Sequence, residues 1–145
     1  MPYPRFHLAL TVTDLDETLS FYTGLLDCPT GRRSQRWVDL DFYGHQLVLH
    51  LVDPGDHPSA RTNPVDGHDV PASHFGPILE WDEFESLAER LRQSEVAFVI
   101  EPTIRFAGRK GEQATMFIVD PSGNHLEFKA FRNIDMLFSH DLEQY

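Results

Sequence analysis

Apolar and polar positions alternate with a period of two over Arg5–Thr13, which predicts a strand. Phe6, Leu8, Leu10 and Val12 fall on one face, and His7, Ala9 and Thr11 on the other. The period then changes. Asp14 with Glu17 three positions on has the form of a helix-opening capping box, and Leu15, Leu19, Tyr22 and Leu26 follow at helical spacing up to Pro29. Two strands are expected at Arg36–Tyr43 and His45–Val52, hinged at Gly44, with a further short strand near Thr30–Ser34.

The same order recurs downstream. Ser73–Glu80 reads as a strand, with Pro77 marking an edge or a bulge. Asp82 with Glu85 predicts a second capped helix, striped by Phe84, Leu87, Ala88 and Leu91. Val96–Ile100 and Ala114–Val119 follow as strands, separated by a polar loop over Ala107–Gln113. Asp120-Pro121-Ser122-Gly123 is a turn in which Pro121 presets φ and Gly123 accepts a positive one, and Leu126–Phe131 is the returning strand. The expectation is an α+β fold of two tandem βαβββ modules, about 4–52 and 73–131, in a single domain. Residues 53–72 hold four Pro and two Gly, a composition that suits a connection. In the tail, 132–145, Ile134, Leu137, Phe138 and Leu142 are expected to line a short helix.

Composition narrows the class. The chain of 145 residues, 41% hydrophobic, is long enough for one domain with a sizeable core. A net charge of -11 argues against a nucleic-acid partner, which needs clustered Lys and Arg. No apolar run is long enough for a membrane span, and the N-terminus lacks the layout of a signal peptide, so a cytoplasmic protein is expected. Cys28 is the only cysteine, so no intrachain disulfide and no thiolate metal cluster form. It also has no cationic neighbour to activate it as a nucleophile.

The candidate chemistry sits at repeat-related places. His7 and His74 lie on the two leading strands, and Glu127 lies on the last strand with His125 and Lys129 on its face. A lone strand Glu is most often solvated, and a lone strand His most often a plain hydrogen-bonded imidazole. Three such residues at matching places in a duplication point instead to a divalent ion. Two imidazoles and one carboxylate form the open facial set of Fe(II) oxygenases, and Mn, Zn or Ni fit the same donors. His45, His57, His68, His125 and His140 fall in turns, the connection or the tail.

On FHLALTVTDLDETLSFYTGLLD, HFG at 74–76 and DPSGNHLEF at 120–128, the chain resembles the vicinal oxygen chelate superfamily over residues 4 to 131. That superfamily includes glyoxalase I, extradiol dioxygenases, fosfomycin thiol transferases and bleomycin-resistance proteins. The resemblance implies a cupped mixed sheet around a metal, with helices on its outer side. It implies His7, His74 and Glu127 as ligands and a homodimer whose sites are shared, His7 of one copy facing His74 and Glu127 of the other. His50 shares a face with Gln46 and Val48, and the repeat sets it opposite Glu127's place; the resemblance further implies it as an acid–base residue of the dioxygenase kind, with a metal ligand or a plain sheet residue as alternatives. Glyoxalase I enzymes of similar size carry a Glu ligand in the stretch resembling 47–51, which this chain lacks. In the other direction, Phe117 stands where the dioxygenases have a Tyr, and the loop 108–112 lacks a further His they use; Arg105, Arg109 or Lys110 are expected there as anion-binding groups. The expected function is metal-dependent action on a small substrate that chelates through adjacent oxygens. Ring-cleaving dioxygenation comes first, a glyoxalase-type lyase or isomerase second, and a non-catalytic drug-binding protein third.

Overall fold

A computed structural model describes residues 3–58, 62–65 and 68–140. The chain divides into two compact units, Met1–Arg61 with Asp120–Asn124, and Thr62–Val119 with His125–Tyr145. Each carries its own mixed sheet.

The first unit runs β1 (His7–Val12), α1 (Leu15–Ser20), β2 (Thr30–Arg33), β3 (Trp37–Phe42) and β4 (His45–Leu51), with sheet order β1-β4-β3-β2. β1 lies parallel to β4, and the remaining pairs are antiparallel. The Asp14 carboxylate accepts from Glu17 N at 2.9 Å and caps α1 as its spacing predicts. The helix continues into a π-helical turn, Phe21–Leu25, and ends at Asp27 in the left-handed region, ahead of Pro29. That wider turn re-aims the apolar stripe, so Thr18 is fully buried beside Leu15, Tyr22 and Leu26 while Leu19 is only half-buried. The core beneath comprises Val12, Val38, Leu40, Phe42, Leu47 and Leu49, each 6% exposed or less. Burying a side chain of this kind contributes about 1.5–3 kcal/mol.

The turn Asp120–Asn124 is locked to this unit by side-chain hydrogen bonds. Asp120 Oδ1 accepts from Ser122 N and Asn124 N, and Oδ2 from the Tyr22 hydroxyl at 2.9 Å and from Asn124 Nδ2. Ser122 Oγ accepts from Thr13 N and shares a hydrogen bond with Thr18 Oγ1. Asn124 Nδ2 also donates to Thr11 O. Burial, and then the neighbouring Asp120 charge, push the Tyr22 phenol well above its ordinary value.

The second unit runs β5 (Thr62–Val65), β6 (His68–Pro71), β7 (His74–Phe75), β8 (Ile78–Leu79), α2 (Trp81–Arg92), β9 (Phe98–Arg105), β10 (Gln113–Val119) and β11 (His125–Phe131). Its main sheet has the order β7-β11-β10-β9, with β8 also on β11, so the βαβββ arrangement recurs. The expected single strand over 73–80 is broken at Gly76-Pro77 into β7 and β8, both parallel to β11. α2 begins earlier than its expected cap at Asp82. Glu80 is the N-cap, and Glu83 completes the reciprocal capping box. Phe84, Leu87, Ala88 and Leu91 are buried as their spacing predicts. The strand expected over 96–100 starts at Phe98 and runs on to Arg105. On β10 and β11, Ala114, Met116, Ile118, Leu126, Phe128 and Ala130 are fully buried on one face. Gln113, Thr115, Phe117, Glu127 and Lys129 alternate to the other.

Part of the Pro-rich connection is structured, because β5 and β6 pair antiparallel. In the tail a 3₁₀ turn spans Ile134–Phe138, and it buries Met136 while Ile134 and Phe138 are exposed. Leu142 and the side chain of His68 lie outside the described residues. Among the described residues no helix is long and apolar enough to cross a membrane.

Candidate metal-binding site

His74 and Glu127 meet in the second unit. β7 lies parallel to β11 with His74 opposite His125, and Glu127 follows two residues on, on the same face. His74 Nε2 lies 3.1 Å from Glu127 Oε2, with the side chains 28% and 14% exposed. The ring's other nitrogen, Nδ1, is 2.6 Å from Pro71 O. A carbonyl can only accept, so Nδ1 carries a proton and donates it. In a neutral ring Nε2 then presents a lone pair to a carboxylate lone pair. That arrangement is satisfied only by a second ring proton or by a cation held between the two atoms.

The remaining contacts hold this pair in place. Thr115 Oγ1 donates to Glu127 Oε1 at 2.7 Å, so both carboxylate oxygens are engaged. The buried Phe117 ring meets His74 edge-on, with centroids 4.9 Å apart. Gly76 runs so close to β11 that an added Cβ would lie 1.7 Å from Glu127 O. Only a glycine lets the leading strand approach the strand that carries the acid.

His7 lies in the first unit, on the face of β1 opposite Leu8 and Leu10, and is exposed. It pairs with Gln46 across the parallel β1–β4 ladder, and Gln46 Oε1 accepts from its Nδ1 at 2.9 Å. Each candidate histidine therefore has Nδ1 held by an amide-type oxygen, which leaves Nε2 as the unprotonated nitrogen of the neutral ring. Such outer hydrogen bonds orient metal-binding imidazoles. Among the described residues no three His, Cys, Asp or Glu side chains are grouped to hold a metal ion.

The ladders correct the place of His50. His74 pairs with His125 and His7 with Gln46, so the first-unit counterpart of Glu127 is Val48, and His50 corresponds to Lys129. Val48 is 5% exposed and has no donor atom, so no carboxylate stands at the repeated place. His50 is exposed between Thr11 and Trp37 on the neighbouring strands. Its ring forms no hydrogen bond among the described residues.

Two of the other histidines bond within the first unit. His45 Nδ1 accepts from Phe6 N, and His57 Nδ1 bonds Thr11 Oγ1 at 2.7 Å. His140 is exposed. His125 is the first residue of β11, opposite His74. Arg105 stacks its guanidinium over Phe106, while Arg109 and Lys110 are exposed on the loop. Thr115, Gln46 and Gly76 were invisible as site residues in the sequence. The signal each carried was small: a hydroxyl in the apolar run 114–119, an amide beside His45, and a glycine directly before Pro77.

The donor chemistry fits a divalent ion. A separation of 3.1 Å between an imidazole nitrogen and a carboxylate oxygen is close to the ~3.0 Å expected of two neighbouring octahedral ligands at about 2.1 Å from one ion.

Comparison with known proteins agrees with this fold. The model of the Glyoxalase/Bleomycin resistance protein/Dioxygenase superfamily matches residues 6–128, and the chain belongs to that superfamily. It is 35% identical to a glyoxalase/bleomycin resistance protein/dioxygenase from Alicyclobacillus acidocaldarius, covering 93% of this chain and 96% of that one at a TM-score of 0.74. Virulence protein STM3117 of Salmonella typhimurium strain LT2 is 26% identical over 125 residues, 86% of this chain and 82% of that protein. The genomically encoded fosfomycin resistance protein FosX of Listeria monocytogenes shares the fold at a TM-score of 0.69, with 16% identity and coverage of 94% and 99%. That protein is also known in complex with Mn(II) and sulfate ion.

Proposed function

We propose that this chain is a metal-dependent enzyme acting on a small substrate that chelates through adjacent oxygens, with ring-cleaving dioxygenation of a catechol-like diol as its reaction. His7, His74 and Glu127 would hold the ion, Fe(II) by preference, in a site shared between two copies of the chain. When bound, the ion supplies Lewis-acid polarisation and a common template for diol and oxygen. The observation that carries this reading is the like fixing of His7 and His74, each with Nδ1 on an amide-type oxygen, while His74 Nε2 is turned to the Glu127 carboxylate. Val48 at the repeated position supports a set of three protein ligands over four, which leaves open places for two substrate oxygens and O2.

The chain's own groups have distinct tasks. Pro71 and Gln46 set the tautomers of the imidazoles, and Thr115 holds the carboxylate. His50, an exposed imidazole on the β4 face that also carries Gln46, takes the proton released by the diol.

A glyoxalase-type proton transfer is the second reading. It is favoured by Phe117, whose ring offers no hydroxyl beside His74. Reconstitution with Fe(II) without air, followed by a catechol panel and oxygen, is expected to yield a yellow ring-opened product. A blank across the panel, with thiol adducts of dicarbonyls turned over instead, would replace the first reading with the second.

A further inference from the structure

β11 presents His125, Glu127, Lys129 and Phe131 on one face, so Lys129 is the next side chain along from the metal-binding carboxylate, about 7 Å away at the strand rise. It lies opposite Thr115, whose hydroxyl holds Glu127. Its ammonium sits 5.3 Å from the Phe131 ring centroid. Among the described residues it forms no ion pair, in a chain with 23 acidic side chains. Glu127, the nearest acid on the strand, already has both oxygens engaged by His74 and Thr115. Lys129 is therefore a half-buried residue whose ammonium lies by an aromatic ring, next to the candidate ligands, and is not paired with a carboxylate. In a chain of net charge -11, an incoming anion is repelled unless a local cation receives it.

We propose that Lys129 recognises an anionic group on the substrate, a carboxylate, sulfonate or phosphonate, so the compound that chelates at His74 and Glu127 is itself an anion. The inference rests on the chelation reading above, and it names the substrate class within it. Arginine supplies ten of the twelve basic side chains, and Lys110 and Lys129 are the only lysines, which makes the test clean.

Reductive ¹³C-methylation labels these two lysines and the N-terminus, and Lys129→Arg identifies the Lys129 resonance by its loss. Inorganic phosphate, and then 3,4-dihydroxybenzoate with Zn(II)-loaded protein, are expected to move that resonance and leave the Lys110 resonance in place. Calorimetry on unlabelled protein is expected to show 3,4-dihydroxybenzoate binding about tenfold more tightly than catechol. The preference should vanish in Lys129→Met, persist in Lys129→Arg, and leave Zn(II) binding unchanged in both. A Lys129 resonance no more responsive than that of Lys110, or a preference that survives Lys129→Met, overturns the proposal. Movement with phosphate but no binding of either diol upholds anion recognition at Lys129 and counts against chelation.

Discussion

Thr115 and Glu127 lie diagonally across the β10–β11 pair, and the threonine hydroxyl donates to the carboxylate at 2.7 Å. His74 takes the second oxygen, so the acid is held from two sides. Removing the hydroxyl in Thr115→Val is expected to weaken Mn(II) or Zn(II) binding by about tenfold, as loss of an outer-shell partner does, while Thr115→Ser keeps most of it. His74→Ala should lose the ion altogether. Titration of purified protein with metal checks both; an unchanged isotherm in Thr115→Val would remove the threonine from the site.

Gln46 plays the equivalent part for His7. Gln46→Leu removes the acceptor at Nδ1 and frees the ring to change tautomer. Metal affinity is expected to fall by roughly 10-fold to 100-fold. Thermal unfolding of the metal-free protein should barely move, since both side chains are exposed. A large loss of stability without loss of affinity would mean the contact is only structural.

Gly76 tests how tightly the leading strand lies on β11. A methyl group there would collide with the backbone carbonyl of Glu127, which cannot rotate away. Gly76→Ala is expected to destabilise by about 3 kcal/mol in urea unfolding. Strand separation would also displace Glu127, so metal binding should fall in whatever fraction still folds. Wild-type stability in this variant would contradict the close approach.

Tyr22 and Asp120 give a pH signature. The phenol's value is raised in the folded chain by burial and the adjacent carboxylate, so its contribution is fully present below about pH 10, its unfolded range. The contribution is lost as pH climbs from there through the folded value. Tyr22→Phe should cost about 1.5–3 kcal/mol at neutral pH, the worth of a hydrogen bond to a charged group, and should flatten this alkaline decline. Absorbance near pH 10 should rise equally in wild type and variant while both stay folded, because Tyr22 does not ionise there.

Much of this architecture was legible from periodicity. The duplicated order of strands, the Asp14 cap and the burial of Leu126 and Phe128 all rest on local rules of spacing and turn chemistry. The second cap was misplaced because acidic residues crowd 80–85, and spacing alone does not say which carboxylate turns back on the chain. Leu19 gave way to Thr18 because a π-helical turn changes the angular step, which no apolar pattern announces. His50 was set opposite Glu127's place because strand register depends on pairing partners; one pleat of error moved Val48 out of view. The oxygens that fix His7 and His74 come from distant or main-chain atoms, and a residue string carries no trace of such aim.

The first unit is discontinuous. The Tyr22 hydroxyl, the Thr13 amide and the Thr18 hydroxyl find their hydrogen-bonding partners at Asp120 and Ser122, some hundred positions later in synthesis. A ribosome therefore releases the leading half well before its final polar contacts exist, and a fragment ending at Arg61 would leave the Tyr22 hydroxyl and the Thr13 amide without them. Dissecting this protein into separately expressed modules requires carrying the pentapeptide Asp120–Asn124 along, spliced to the amino-terminal piece.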